Sequence, residues 1–118
     1  MNKVHIVGNL TANPECRFVR GKNGENTVCN FTVAVHRYAR SERVTDFFRV
    51  TLWNKQADNA MKYLSKGRQV AVTGAVTARA YTGNDNQVRC IMEIQDVDEL
   101  EYIGTRTIDD SSACDPQE

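Results

Sequence analysis

The run Phe47-Phe48-Arg49-Val50-Thr51-Leu52-Trp53 carries a large aromatic at each end. An extended strand sends alternate side chains to opposite faces. Phe48, Val50 and Leu52 therefore share a dry core face, and Phe47, Arg49, Thr51 and Trp53 share the other. Two large rings with a guanidinium and a hydroxyl between them are an odd choice for a face that meets only water. At about 3.3 Å per residue the rings stand roughly 20 Å apart, room for several unstacked nucleotides. The theme repeats at Thr77, Arg79 and Tyr81, opposite Val70, Val72 and Val76, and again at Arg37, Tyr38, Arg40 and Arg43 around a polar turn. Lys3, Arg17, Lys55 and Lys66 add positive charge, as do Arg68 and Arg89. Rings interleaved with cations suit a single-stranded nucleic acid: each stacked base is worth about 1–3 kcal/mol, and cations track the phosphates. A duplex hides its base faces, and the one helical stretch of this chain has an apolar stripe to bury rather than a recognition face.

Each of these residues also has a plainer use. Trp53, at a strand end, could cap the core; Phe47 could fill a subunit contact; Tyr38 and Tyr81 could be ordinary hairpin residues. Taken singly, the cations are a solvated face. The conjunction of four aromatics and eight or more cations carries the argument. Catalysis has no comparable support. His5 and His36 lie on different strands with no Ser or Cys set by spacing, and no glycine-rich phosphate loop is present. The acidic run Asp96-Val97-Asp98-Glu99-Leu100-Glu101 reads as a strand end. Cys16, Cys29, Cys90 and Cys114 form no C-x-x-C pair; reduced thiols are expected, with Cys29 and Cys90 in core positions. No metal, cofactor or enzymatic activity is expected.

Charge is divided along the chain. Residues 1–89 hold 14 Lys and Arg against 6 Asp and Glu, a net of +8, and residues 90–118 hold 1 against 9, a net of −8. The basic body points to a polyanion, and the acidic end to self-masking or a basic partner. At 118 residues, with 41% hydrophobic and 25% charged residues, the chain has the length of one globular domain. No apolar run approaches a membrane span or a secretory signal, so a cytoplasmic, nucleoid-associated protein is expected.

The elements that would position these residues are mostly strands. Period-two alternation marks Lys3 to Leu10, Glu15 to Arg20 after the Asn13-Pro14 break, Thr27 to Tyr38, Val44 to Trp53, Gln69 to Tyr81, and Val88 to Ile94 with weaker character to Ile103. Gly21 to Asn26, Ala39 to Arg43 and Thr82 to Asn86 read as turns. Between Lys55 and Lys66 the period changes: Ala57, Ala60, Met61 and Leu64 form a helix face, with Asn54 as N-cap and Lys66-Gly67 as the end. Three strands, a helix and two strands, the first strand in two pieces, is the order of an all-β, five-stranded oligonucleotide/oligosaccharide-binding (OB) Greek-key barrel with its helix between strands 3 and 4. A small open sandwich would give the same string. Residues 1–104 form the expected domain, and residues 105–118, nearly free of apolar groups, a short acidic disordered tail.

Met1-Asn2-Lys3-Val4, Gly8-Asn9-Leu10, Asn13-Pro14-Glu15, Arg17-Phe18 and Asn30-Phe31-Thr32-Val33-Ala34-Val35 resemble the bacterial single-stranded DNA-binding proteins. So do Leu52-Trp53-Asn54-Lys55-Gln56-Ala57, Tyr63-Leu64-Ser65-Lys66-Gly67, Val72-Thr73-Gly74 and Thr77-Ala78-Arg79-Ala80-Tyr81, the last four in the family's most specific stretch. The resemblance implies an OB barrel, a homotetramer, and binding of single-stranded DNA with little sequence preference in replication, repair or recombination. It assigns stacking to Tyr38, Phe47, Trp53 and Tyr81, and phosphate contacts to Lys3, Arg17, Arg49, Lys55, Lys66 and Arg79. The hairpin cations Arg37, Arg40 and Arg43 join these from charge alone. Family members end in a long linker with an acidic Pro-Phe tip; here 14 residues follow Gly104 and the last four are Asp115-Pro116-Gln117-Glu118. Recruitment of replication or repair partners by that route is not expected, whether the chain is an accessory paralogue, a mobile-element copy or a trimmed piece. The rival reading is an OB-type protein-interaction module, a replisome adaptor whose aromatics form a subunit or partner interface. A weaker rival is an RNA-binding OB protein, though nothing here reads a 2′-hydroxyl.

Overall fold

The computed structural model describes residues 1–22 and 24–104; the expected tail, including Cys114 and Asp109-Asp110, lies outside the described residues. Six strands and one helix follow one another as β1 (Val4–Leu10), β2 (Glu15–Gly21), β3 (Gly24–Ala39), β4 (Glu42–Trp53), α1 (Asn54–Tyr63), β5 (Gln69–Thr82) and β6 (Val88–Tyr102). They form one sheet in the order β1-β5-β6-β4-β3-β2. β1 also pairs with β3 through Asn9 with Ala34 and Leu10 with Val33. The pairings therefore run β1-β5-β6-β4-β3 and return to β1, with β2 outside the ring as a hairpin arm on β3.

Alternation sorts the side chains as the sequence predicts. Ile6, Leu10, Phe31, Val33, Val50, Leu52, Val70, Val72 and Ile94 pack as one core, and α1 closes it with Ala57 and Ala60. Closing the ring brings backbones close together at two glycines. A methyl group on Gly8 would run into the Ala34 carbonyl, and one on Gly74 into the Asp96 carbonyl. β6 bulges twice against β5, between the partners of Thr73 and Gly74 and between those of Ala75 and Val76, which bends the strand around the core.

Several local expectations are corrected. The helix stops at Tyr63 rather than Lys66, with Leu64 as its C-cap. Its buried stripe holds Ala57, Ala60 and Leu64, whereas Met61 faces solvent. Asn54 is not the N-cap. It is the first helical residue, at φ +53°, and its side-chain oxygen accepts the Thr27 backbone N–H at 3.1 Å, tying α1 to β3. The Ala39–Arg43 loop shrinks to a two-residue turn: Ala39 pairs with Glu42, and Arg40 and Ser41 both adopt positive φ. That conformation matches the twist of the flanking strands, so the hairpin stays paired to its tip.

Of the cysteine reading, the core position of Cys29 holds and the rest is overturned. Cys16 and Cys29 face each other across β2 and β3 and form a disulfide. Cys90 is exposed rather than in the core, because it lies opposite Ala80 where the β5–β6 hairpin runs out past the packed interior.

Candidate nucleic-acid interface

The register of four strands builds one outward face. Along β3 and β4 the outward pairs are Tyr38 with Arg43, His36 with Thr45, Ala34 with Phe47, Thr32 with Arg49, Asn30 with Thr51, and Val28 with Trp53. Arg17 on β2 lies opposite Val28 and continues the row. Across the parallel contact of β4 with β6, Arg49 meets Glu93. Glu93 in turn meets Thr77 on β5, with Arg79 opposite Ile91 and Tyr81 opposite Arg89 beyond it. Phe47, Trp53, Tyr81 and Tyr38 are between 38% and 77% exposed. Hydrogen bonds fix the polar groups among them: the Thr51 hydroxyl donates to Asn30 Oδ1 at 2.8 Å, and His36 Nδ1 lies 2.9 Å from Thr45 Oγ1. A cleft of about 190 Å³ beside Arg49 is lined by Thr11, Asn13, Asn30 and Thr32, among others.

The cations divide into two groups. Arg17, Arg43 and Arg49 stand on the outward face, Arg40 at the hairpin tip and Lys55 in the first turn of α1 beside Trp53, and none of the five has an ion-pair partner among the described residues. Arg37 sits on the opposite side of the hairpin from Tyr38. There its Nε donates to Asp46 at 2.5 Å, and this hydrogen bond holds the guanidinium above its ordinary pKa. Lys3 pairs with Asp98, toward the far end of β6. Lys66 lies in the connection after α1, where Asn13 Oδ1 accepts its backbone N–H at 2.8 Å. Lys3 and Lys66 are thus outside the four-strand face, and Arg79 is on it but paired.

The partner of Arg79 is a residue that the charge count passed over. Arg79 Nε and Nη2 donate to the two oxygens of Glu93 at 3.2 Å each. These hydrogen bonds hold the Glu93 carboxyl below the usual range and the guanidinium above its own. Sequence parity with Ile94 already places Glu93 outward; what it lacks is the diagonal partner, which only the β5–β6 register supplies. At the hairpin end, Arg89 holds Asp85 down in the same manner, Nη2 to Oδ2 at 2.6 Å. The acidic run Asp96 to Glu101 lies in β6 against the first half of β5, whose other edge pairs with β1, rather than under the aromatic rings. No helix among the described residues is long and apolar enough to cross a membrane.

With this geometry in place, known proteins offer a comparison. The model of the single-strand binding protein family matches residues 1–102. Single-stranded DNA-binding protein 1 of Clostridium acetobutylicum is 35% identical over 109 residues, covering 90% of this chain and 96% of that one. Single-stranded DNA-binding protein 3 of the same organism is 33% identical over 119 residues, covering 99% and 81%. Among solved structures, a Plasmodium falciparum SSB in complex with ssDNA superposes with a TM-score of 0.71 at 26% identity, covering 88% of this chain and 96% of that one.

Proposed function

The chain belongs to the single-strand binding protein family and binds single-stranded DNA, and we propose that it does so without reading sequence, on the outward face of β3, β4, β6 and β5. The family consists of DNA-binding proteins rather than enzymes. The observation that carries the reading is the set of exposed rings at Tyr38, Phe47, Trp53 and Tyr81 on one sheet face, with cations that have no ion-pair partner among the described residues between and beside them. Bases stack on the rings, while Arg17, Arg40, Arg43, Arg49 and Lys55 neutralise phosphates and release counterions.

The closed ring of five pairings, with α1 between β4 and β5, is taken as an OB barrel, and residues 1–104 as its DNA-binding domain. Protection of exposed single strands in replication, repair or recombination, in the cytoplasm, is the matching role. Assembly as a homotetramer is proposed with it: Val7 and Phe18 are exposed apolar side chains off the aromatic face, the kind of surface a subunit contact covers. Light scattering should then return about four times the 13.3 kDa chain mass.

Trp53 is the only tryptophan, which makes the test direct. Oligo-dT should quench its fluorescence and a duplex of equal length should not, with the effect weakening as salt rises. Binding by neither probe would overturn the reading and return the aromatics to a protein interface.

A further inference from the structure

Glu93 is a carboxylate built into the middle of a cationic face. It is 9% exposed, with Arg49 directly across on β4 and Thr77 directly across on β5. Both of its oxygens are occupied by Arg79, through Nε and Nη2 at 3.2 Å. A forked contact of this kind uses the guanidinium edge that would otherwise clasp a phosphate, and it cancels the charge. The Arg79 side chain nevertheless stays 54% exposed. Its edge is taken and its surface is open to solvent. A guanidinium held in this way offers a plane on which a base can stack, while the carboxylate beside it repels phosphate.

Resting on the reading of this face as the single-stranded DNA site, we propose that Glu93 is a positioning residue for the strand: it withdraws Arg79 from phosphate binding and turns its guanidinium into a further stacking plate. The strand then crosses β5 and β6 with bases toward the sheet, and its phosphates are held by β4, β2 and the β3–β4 hairpin. Arg79 becomes a base contact rather than the phosphate contact that charge alone suggests.

Salt dependence separates the two roles, because each phosphate-neutralising cation adds about 0.7 to the slope of log K against log salt for a single strand. The affinity of oligo-dT is measured across a salt series for the wild type, Arg79→Ala, Glu93→Gln and the double variant. The double variant removes the plate and uncovers no charge. It should weaken binding about fivefold or more at every salt, as loss of a stacked base does, and leave the slope unchanged. Glu93→Gln, which keeps the side chain's size, should steepen the slope by freeing Arg79. Its affinity relative to wild type should then fall about fivefold between roughly 50 and 500 mM salt. Arg79→Ala alone uncovers the Glu93 carboxylate and should bind more weakly than the double variant. A slope reduced by about 0.7 in the double variant overturns the proposal, and so does an unchanged slope in a folded Glu93→Gln; if the variants carrying Glu93→Gln do not fold, Arg79→Ala binding as tightly as wild type overturns it. A wild type that fails to bind oligo-dT overturns the functional reading instead.

Discussion

Val28 and Trp53 face each other across β3 and β4, with Arg17 on the far side of Val28. Val28 points outward yet is only 2% exposed, so the indole rests on an apolar floor with part of its surface still open. A ring held in this way loses little freedom when a base stacks on it. Trp53→Ala should therefore weaken oligo-dT binding by about 1–3 kcal/mol with little change in salt slope. Arg49→Ala should instead lower the slope by about 0.7. Identical behaviour of the two variants in a salt titration would contradict the division between stacking and charge. Glu93 makes a separate prediction through pH. Its carboxyl is held low, chiefly by the hydrogen bonds from Arg79, so it contributes stability that is complete above the unfolded pKa and is lost as pH falls through the folded value. The melting-temperature gap between wild type and Glu93→Gln should be open at neutral pH and close below the ordinary glutamate range; a gap that is flat with pH would contradict this. At this scale the sequence reveals which face a side chain takes, because parity alone decides it. It does not reveal that Arg37, Lys3 and Arg79 are already paired with Asp46, Asp98 and Glu93, since those partners depend on registers set many residues away.

The strands were legible because their alternation is regular, and their ends were less so. Turn chemistry hides the length of the β3–β4 hairpin: Arg40 and Ser41 adopt positive φ without a glycine or asparagine between them. Ser41→Gly should raise stability by up to about 1 kcal/mol, read as a higher melting temperature, because a left-handed backbone costs roughly that for an L-residue. The opposite holds at Gly8, where β1 crosses β3. Gly8→Ala should cost about 1–3 kcal/mol, as overpacking does, because the added methyl meets the Ala34 carbonyl; unchanged thermal stability would contradict the close crossing. The disulfide escaped the spacing argument for a physical reason. Cys16 and Cys29 are 13 residues apart, and what brings them together is the β2–β3 register running from the Gly21–Gly24 turn. Reduction with a dithiol should lower the stability of the full chain by at most about 3 kcal/mol. Equal melting temperatures with and without reductant would contradict a clamp at this position.

Across the whole molecule, charge and shape are separated in the same sense. Arg17, Arg40, Arg43, Arg49 and Lys55, none with an ion-pair partner among the described residues, lie on or beside the face of β3, β4, β6 and β5 that carries the aromatic rings, and the acidic stretch of β6 lies along the first half of β5. Such a distribution orients an approaching polyanion toward one side. The charge split between residues 1–89 and 90–118 hints at this division, but the two halves interleave in space, since β6 lies between β4 and β5. That interleaving is why Glu93 ends up inside the cationic face, whose β2 edge also carries Glu15 opposite Asn30. The central claim is that stacking plus a small set of unpaired cations accounts for binding, and the salt dependence of wild-type affinity for a short dT oligomer tests it most directly. With Arg17, Arg40, Arg43, Arg49 and Lys55 engaged, log K should fall against log salt with a slope of about −3.5 for an oligomer of about eight nucleotides, and binding should persist weakly at high salt through the rings. A slope near −1, or equal affinity for a duplex of the same length, would contradict it.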